Sequence, residues 1–179
     1  MIPIASCARI FVHHHPKALL DKAMNGGTYS WLWIFNSGSS HPAAVFASLE
    51  KSVRWIADQK QTGTLTAYPV GPSLYEWALE SNIFRPKRPD QKDIRFIQRF
   101  SSASQSHFHF EEGCCSHLPE TTEQEANMGL SPYAGDRIWL FLGEGGRFPA
   151  GAFESLESAQ DWVANHGATG KIVCLTVTG

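Results

Sequence analysis

The sequence predicts an α+β fold, built from two related β-β-α-β units with small, mainly antiparallel sheets packed by short helices. Three observations predict it. Hydrophobic residues make up 42% of the chain and charged residues 18%, enough apolar material for a packed core and too little charge for a disordered chain. Short aromatic and β-branched runs alternate with stretches of helical apolar spacing. The third observation is that the chain repeats itself.

The repeat lies between residues 33–70 and residues 139–177. Trp33 matches Trp139 and Phe35 matches Phe141; after a one-residue insertion Pro42 matches Pro149 and Phe46 matches Phe153. Ser48-Leu49-Glu50 matches Ser155-Leu156-Glu157, Trp55 matches Trp162, and Thr62-Gly63 matches Thr169-Gly170. Four of the six tryptophans fall on matched positions, which marks an internal duplication.

The elements follow in order. Residues 1–28 form an N-terminal arm. Its opening, MIPIASCARIFVHHHP, lacks a basic leader and reads as a strand or arm rather than a signal peptide, with Pro16 opening a helix over Lys17–Met24. Residues 29–112 form the full unit. Trp31–Phe35 is a strand, Ala44–Phe46 a second, and Ser48 caps a helix with Glu50 in the first turn, where the helix dipole favours negative charge. Leu49, Val53 and Ile56 share one helical face with Trp55 beside it; Gly63 then ends the connection, and Thr64–Val70 is the third strand. A short helix is expected over Ser73–Ser81 and another over Phe96, Ile97, Phe100 and Ala103, followed by the strand SHFHFEE. Residues 113–135 are poor in large apolar side chains and read as a linker. Residues 136–179 form a half unit, with Leu156, Ala159 and Val163 on its helix and Lys171–Val177 as its last strand.

The stretches WIF, LTAYPVG, YEWAL, FRPK, FIQRF and SASQSHFHFEEG, spread over residues 31–113, resemble an uncharacterised bacterial domain family, a domain of unknown function. The half unit resembles the front of the same family through GEGGRFPAGAF. The resemblance implies a small α+β fold and a bacterial source. It implies no reaction and no catalytic residues.

Candidate chemistry is sparse. On a strand, residues two apart face the same side, so His107, His109 and Glu111 share one face and Phe108 and Phe110 the other. A His-x-His-x-Glu strand can ligate zinc, iron or manganese, with His117, Cys114, Cys115 or His41 as further donors. The competing reading puts the phenylalanines in the core and the histidines outside, with no cofactor. His13–His15 reads as the end of the N-terminal strand. Gly143–Phe148 lacks a Walker lysine and is followed by a strand, so it is a hairpin turn rather than a phosphate loop. Cys7, Cys114, Cys115 and Cys174 form no C-x-x-C pair and read as reduced thiols in a cytoplasmic protein. Residues 85–99 hold six of the fifteen basic residues against two aspartates.

The net charge of −2 gives no global signal for nucleic acid or a membrane surface, and no apolar run reaches the ~18–20 residues of a spanning helix. The functional expectation is a small cytosolic module that binds another protein, in its most specific form an immunity protein neutralising a cognate toxin. Trp31, Tyr75 and Trp77 are candidate anchors, with core packing as the favoured reading of each, and Arg85, Lys87 and Arg88 are candidate charged contacts, because interface cores favour Trp, Tyr and Arg. The alternative is a metal-dependent enzyme built on His107, His109 and Glu111.

Overall fold

The computed structural model describes residues 29–39, 41–115 and 131–179. The N-terminal arm with Cys7, the His13–His15 run and the expected helix over Lys17–Met24 lies outside the described residues, as does His117. The strands and helices run in the order β1 (Ser30–Asn36), β2 (Ala44–Phe46), α1 (Leu49–Asp58), β3 (Gly63–Pro69), α2 (Leu74–Glu80), a 3-10 turn (Pro89–Lys92), α3 (Ile94–Ile97), β4 (His107–Phe110), β5 (Ser131–Pro132), β6 (Arg137–Gly143), β7 (Gly151–Phe153), α4 (Leu156–His166) and β8 (Gly170–Thr178). The order β-β-α-β therefore occurs over both matched stretches.

The strand registers correspond as the sequence match does. In the first stretch β1 is central and antiparallel to β2 and β3, with Trp33 opposite both Phe46 and Ala67. In the second, β6 is central and antiparallel to β7 and β8, with Trp139 opposite both Phe153 and Cys174. The helix starts agree as well. Ser48 and Ser155 both cap in extended conformation, and each side chain accepts a hydrogen bond from a backbone N–H three residues on.

The strands expected in small sheets are joined in one. The order is β4-β3-β1-β2-β8-β6-β7, with β5 parallel to the start of β1. The joint is a parallel pairing of β2 with β8, Val45 opposite Val177 and Phe46 opposite Thr178. The far edge returns to the chain just after β3: Val70 bridges Ala152, Gly71 N donates to Ala152 O at 2.8 Å, and Leu74 N donates to Ala150 O at 2.8 Å. The mixed sheet is thus curled until β7 meets the end of β3.

The curl gives the core two parts. Leu32, Ile34, Val45 and Tyr68 are fully buried in one cluster with Ile138, Leu140, Ala152 and Val177, so both stretches supply a single interior. Each large side chain there contributes roughly 1.5–3 kcal/mol of burial. The helices α1 and α4 cover the sheet's other face. Trp55 of α1 lies against Phe35 and Phe46, and Trp162 of α4 against Phe141 and Phe153. Gly63 and Gly170 start β3 and β8 where a Cβ would lie 2.2 Å from the carbonyl oxygen of Asn36 and of Leu142 respectively, so both places require glycine.

Two expectations are corrected locally. The helix expected from Phe96 to Ala103 is the single turn Ile94–Ile97, because the chain turns after Gln98 to bring Phe100 back under Tyr75 and Phe84. Leu156 is 39% exposed: it opens α4 on the solvent side, and Ala159 and Trp162 form the buried stripe. The Gly143–Phe148 stretch is a connection between antiparallel strands, with Gly146 N donating to Gly143 O at 2.9 Å.

Candidate functional site

β4 carries the two histidines. Their positions two apart put both rings on one side of the strand, with centroids 5.2 Å apart and planes nearly perpendicular. His107 Nδ1 lies 2.8 Å from Gln105 O, and His109 Nδ1 lies 3.2 Å from Thr64 Oγ1. On the other side Phe110 is buried against Phe35, and Phe108 is half-buried against Trp33 at 5.7 Å. The period of two thus holds, graded by β4 lying at the sheet's edge: His109 is exposed and His107 half-buried. Glu111 is exposed beyond the strand and bridges to Cys114. Among the described residues no three His, Cys, Asp or Glu side chains come together as a metal-holding group. Cys114 and Cys115 are half-buried and Cys174 is exposed.

The aromatic anchors and the basic residues part company. Trp31, Tyr75 and Trp77 are all buried. Trp31 and Trp77 meet edge to face at 5.6 Å, where α2 packs across the end of β1. Tyr75 lies beneath a stack of rings from the segment after α2: it contacts Phe84 at 5.7 Å, Phe96 at 6.3 Å and Phe100 at 5.4 Å. Arg85, Lys87 and Arg88 are exposed on the loop that leads over this stack. Arg88 makes a two-pronged contact with Asp90 at 3.1 Å, and Arg85 donates to Asn82 at 3.2 Å.

Between that loop and the chain after α3 lies an open groove of about 670 Å³. Ile83, Phe84, Phe96 and Phe100 form its apolar wall, and Asp90, Asp93, Arg95 and Arg99 stand at its polar margin. Phe84 and Phe96 stack at 5.8 Å with 22° between their planes. The groove exists because the two short turns of α3 and the 3-10 segment fold the aromatic-rich stretch back on itself. Sequence reading found the basic run but not the cleft, since no spacing rule links Phe84 to Phe100.

Glu76 was not legible as a special residue. It closes a capping box at the start of α2, accepting from Ser73 N at 2.9 Å and Ser73 Oγ at 2.7 Å. The same carboxylate accepts from Trp162 Nε1 at 3.1 Å, and His166 Nε2 stands 3.5 Å away, stacked on Trp162. Gln98 makes a second tie, accepting from Thr169 N at 2.9 Å. At the chain's other tyrosines, Tyr29 donates to Glu80, and that bond, with burial and the nearby carboxylates, pushes its phenol up to about 12. Burial alone pushes Tyr68 up; its hydroxyl donates to Pro149 O at 3.2 Å.

Among the described residues no helix is long and apolar enough to cross a membrane. No curated protein and no solved structure matches the chain. A family model does, over residues 32–116 and again over residues 138–178, a full copy followed by a partial one. The matches take in well over half of the sequence, and the chain belongs to the family described as Domain of unknown function (DUF7710).

Proposed function

We propose that the chain is a small protein-binding module, with neutralisation of a cognate toxin as the most specific form of that activity. We also read its sheet as two related β-β-α-β units closed against one another. The observation that carries the binding reading is the groove of about 670 Å³ beside the basic loop. Half-buried rings of Phe84 and Phe96 offer an apolar floor, Arg95 and Arg99 stand with Asp90 and Asp93 at its margin, and Arg85 and Lys87 are exposed on the adjoining loop. Aromatic floors with a charged rim suit a partner segment that inserts one large apolar side chain and carries acidic residues beside it. Charge at such a rim governs the association rate and its salt dependence more than the contact area does.

The test is capture of a partner by the tagged chain from its source cells, then titration of the purified pair. The variant Arg85→Glu/Lys87→Glu/Arg95→Glu is expected to bind about tenfold or more weakly at low salt, with the difference narrowing as salt rises. Equal affinity for the variant and the natural chain would remove the groove from the account. For the toxin reading, co-expression with a neighbouring toxin-like reading frame is expected to restore growth with the natural chain and not with the variant.

A further inference from the structure

The two matched stretches differ at one strand. In the first, β3 has β1 on one side and β4 on the other, with Gly63 opposite Phe110, Leu65 opposite Phe108 and Thr66 opposite His107. Ala67 N donates to Ser106 O at 2.9 Å. Backbone direction alternates along a strand, so Gly63, Leu65 and Ala67 turn their N–H and C=O groups toward β4.

β8 stands against β6 as β3 stands against β1. Val177 N donates to Asp136 O at 2.8 Å, as Val70 N donates to Ser30 O at 2.8 Å. By the same alternation Ile172, Cys174 and Thr176 turn their backbone groups away from β6. β2 pairs only with the end of the strand, Val45 opposite Val177 and Phe46 opposite Thr178, a register that also takes up the carbonyl of Thr176. Among the described residues no strand pairs with the rest of that edge. At its start, Gln98 accepts from Thr169 N at 2.9 Å, at the place where Thr62 accepts from Glu112 N at 2.9 Å. Among the described residues the open edge therefore runs from Ile172 to the N–H of Thr176.

Side-chain burial records what is missing. Leu65, Ala67 and Trp33 are 0%, 1% and 3% exposed, with Phe108 lying on Trp33. Their matches Ile172 and Trp139 are only half-buried, and Cys174 is exposed. β4 also shows what fills such a place: an antiparallel strand whose aromatic residue lies opposite the Leu65 position and rests on the Trp33 position.

We propose that the outer edge of β8, from Ile172 to Thr176, docks an extended segment of another protein in antiparallel pairing, with one large aromatic side chain opposite Ile172 covering Trp139. Main-chain hydrogen bonds give such strand addition its affinity and alternate side chains its specificity. The surface shares no residue with the groove, so this inference stands or falls apart from the groove reading.

The probe is a synthetic peptide of the chain's own covering strand, Ser104–His109, titrated into the full chain with backbone amide resonances followed. Saturable shifts at Ile172, Cys174 and Thr176 and at the Trp139 indole are expected. In the register of β4 on β3, Phe108 of the peptide directs its N–H to the host strand and His109 directs its N–H away. N-methylation at Phe108 is therefore expected to weaken binding about tenfold or more, and N-methylation at His109 to leave it unchanged. On the protein side, Cys174→Pro removes one outward N–H without touching the bonds to β6, and is expected to abolish the shifts; Ile172→Lys is the second variant should the proline disturb folding. Absence of saturable shifts, or shifts unaffected by methylation at Phe108, would overturn the proposal. So would a chain that is dimeric in sedimentation and becomes monomeric with Cys174→Pro, because a second copy would then own the edge.

Discussion

Trp162→Ala is expected to be far more costly than Trp55→Ala, although the two tryptophans occupy matched places. Trp162 is 7% exposed, lies 5.4 Å from Phe141 and 6.1 Å from Phe153, and stacks at 4.4 Å on His166. Its indole also donates to Glu76 at 3.1 Å. Removing a buried aromatic ring costs about 3–5 kcal/mol, and a hydrogen bond to a charged acceptor about 1.5–3 kcal/mol; overlap between them puts the total near 4–5 kcal/mol. Trp55 keeps the same two phenylalanine contacts, at 6.0 Å to Phe35 and 5.6 Å to Phe46, but is only half-buried. About 2–3 kcal/mol is expected there. Urea unfolding followed by far-ultraviolet circular dichroism measures both. Because about 5 kcal/mol can exhaust a domain's stability, Trp162→Phe serves as a milder variant, keeping a ring and losing the bond to Glu76, with a cost of about 1.5–3 kcal/mol. The reasoning fails if Trp55→Ala costs as much as Trp162→Ala, or if Trp162→Ala costs under about 1.5 kcal/mol.

Three further outcomes can be checked by the same melts. Asn36 is 6% exposed with its Nδ2 lacking a hydrogen-bond partner, and its match in the second stretch is Leu142, so Asn36→Leu is expected to stabilise the chain by about 1–2 kcal/mol; a loss of stability would show that the amide has a use. Gly63→Ala and Gly170→Ala each push a Cβ to 2.2 Å from a carbonyl oxygen and should cost about 1–3 kcal/mol, by similar amounts, with tolerance of either arguing against the shared strand geometry. Tyr29 is held protonated up to about 12 in the folded chain, above its ordinary value, so its contribution is full below pH ~10 and is lost as pH climbs from there toward 12; Tyr29→Phe should flatten the stability profile between about pH 10 and 12, and an unchanged slope would refute the bond to Glu80.

The elements themselves were largely readable because each rests on local chemistry. Ser48, Ser73 and Ser155 announce helix starts through hydroxyls that bond the first turn, and the paired tryptophans and phenylalanines carry the register of both stretches. The joint between the stretches was not readable. Val45 and Val177 pair in parallel across the sheet, and nothing in two short apolar strands specifies a neighbour so distant in sequence. Core packing of Trp31, Tyr75 and Trp77 was the reading that competed with an anchor role, and their burial agrees with it, but the partners that bury them were not readable. These three are apolar residues on a strand end and a helix whose exposed sides are closed by one another and by Phe84 and Phe100, contacts that arise only when the chain folds back. The histidine strand was read correctly in direction and only partly in depth, because an edge strand buries one end more than the other. The groove and the open edge of β8 both depend on which segments fail to meet, and no local pattern encodes that.

Hydrogen exchange at four backbone amides tests the unfilled edge most directly. In the free chain, Leu65 and Ala67 bond to β4 while Ile172 and Cys174 face outward from β8. The account predicts strong protection at Leu65 and Ala67 and exchange at Ile172 and Cys174 faster by about a hundredfold or more, with Val173 and Leu175 slow because they bond to β6. Equal protection of Ile172 and Cys174 with Leu65 and Ala67 in the isolated monomer would mean that the chain already covers this edge, and would contradict the account.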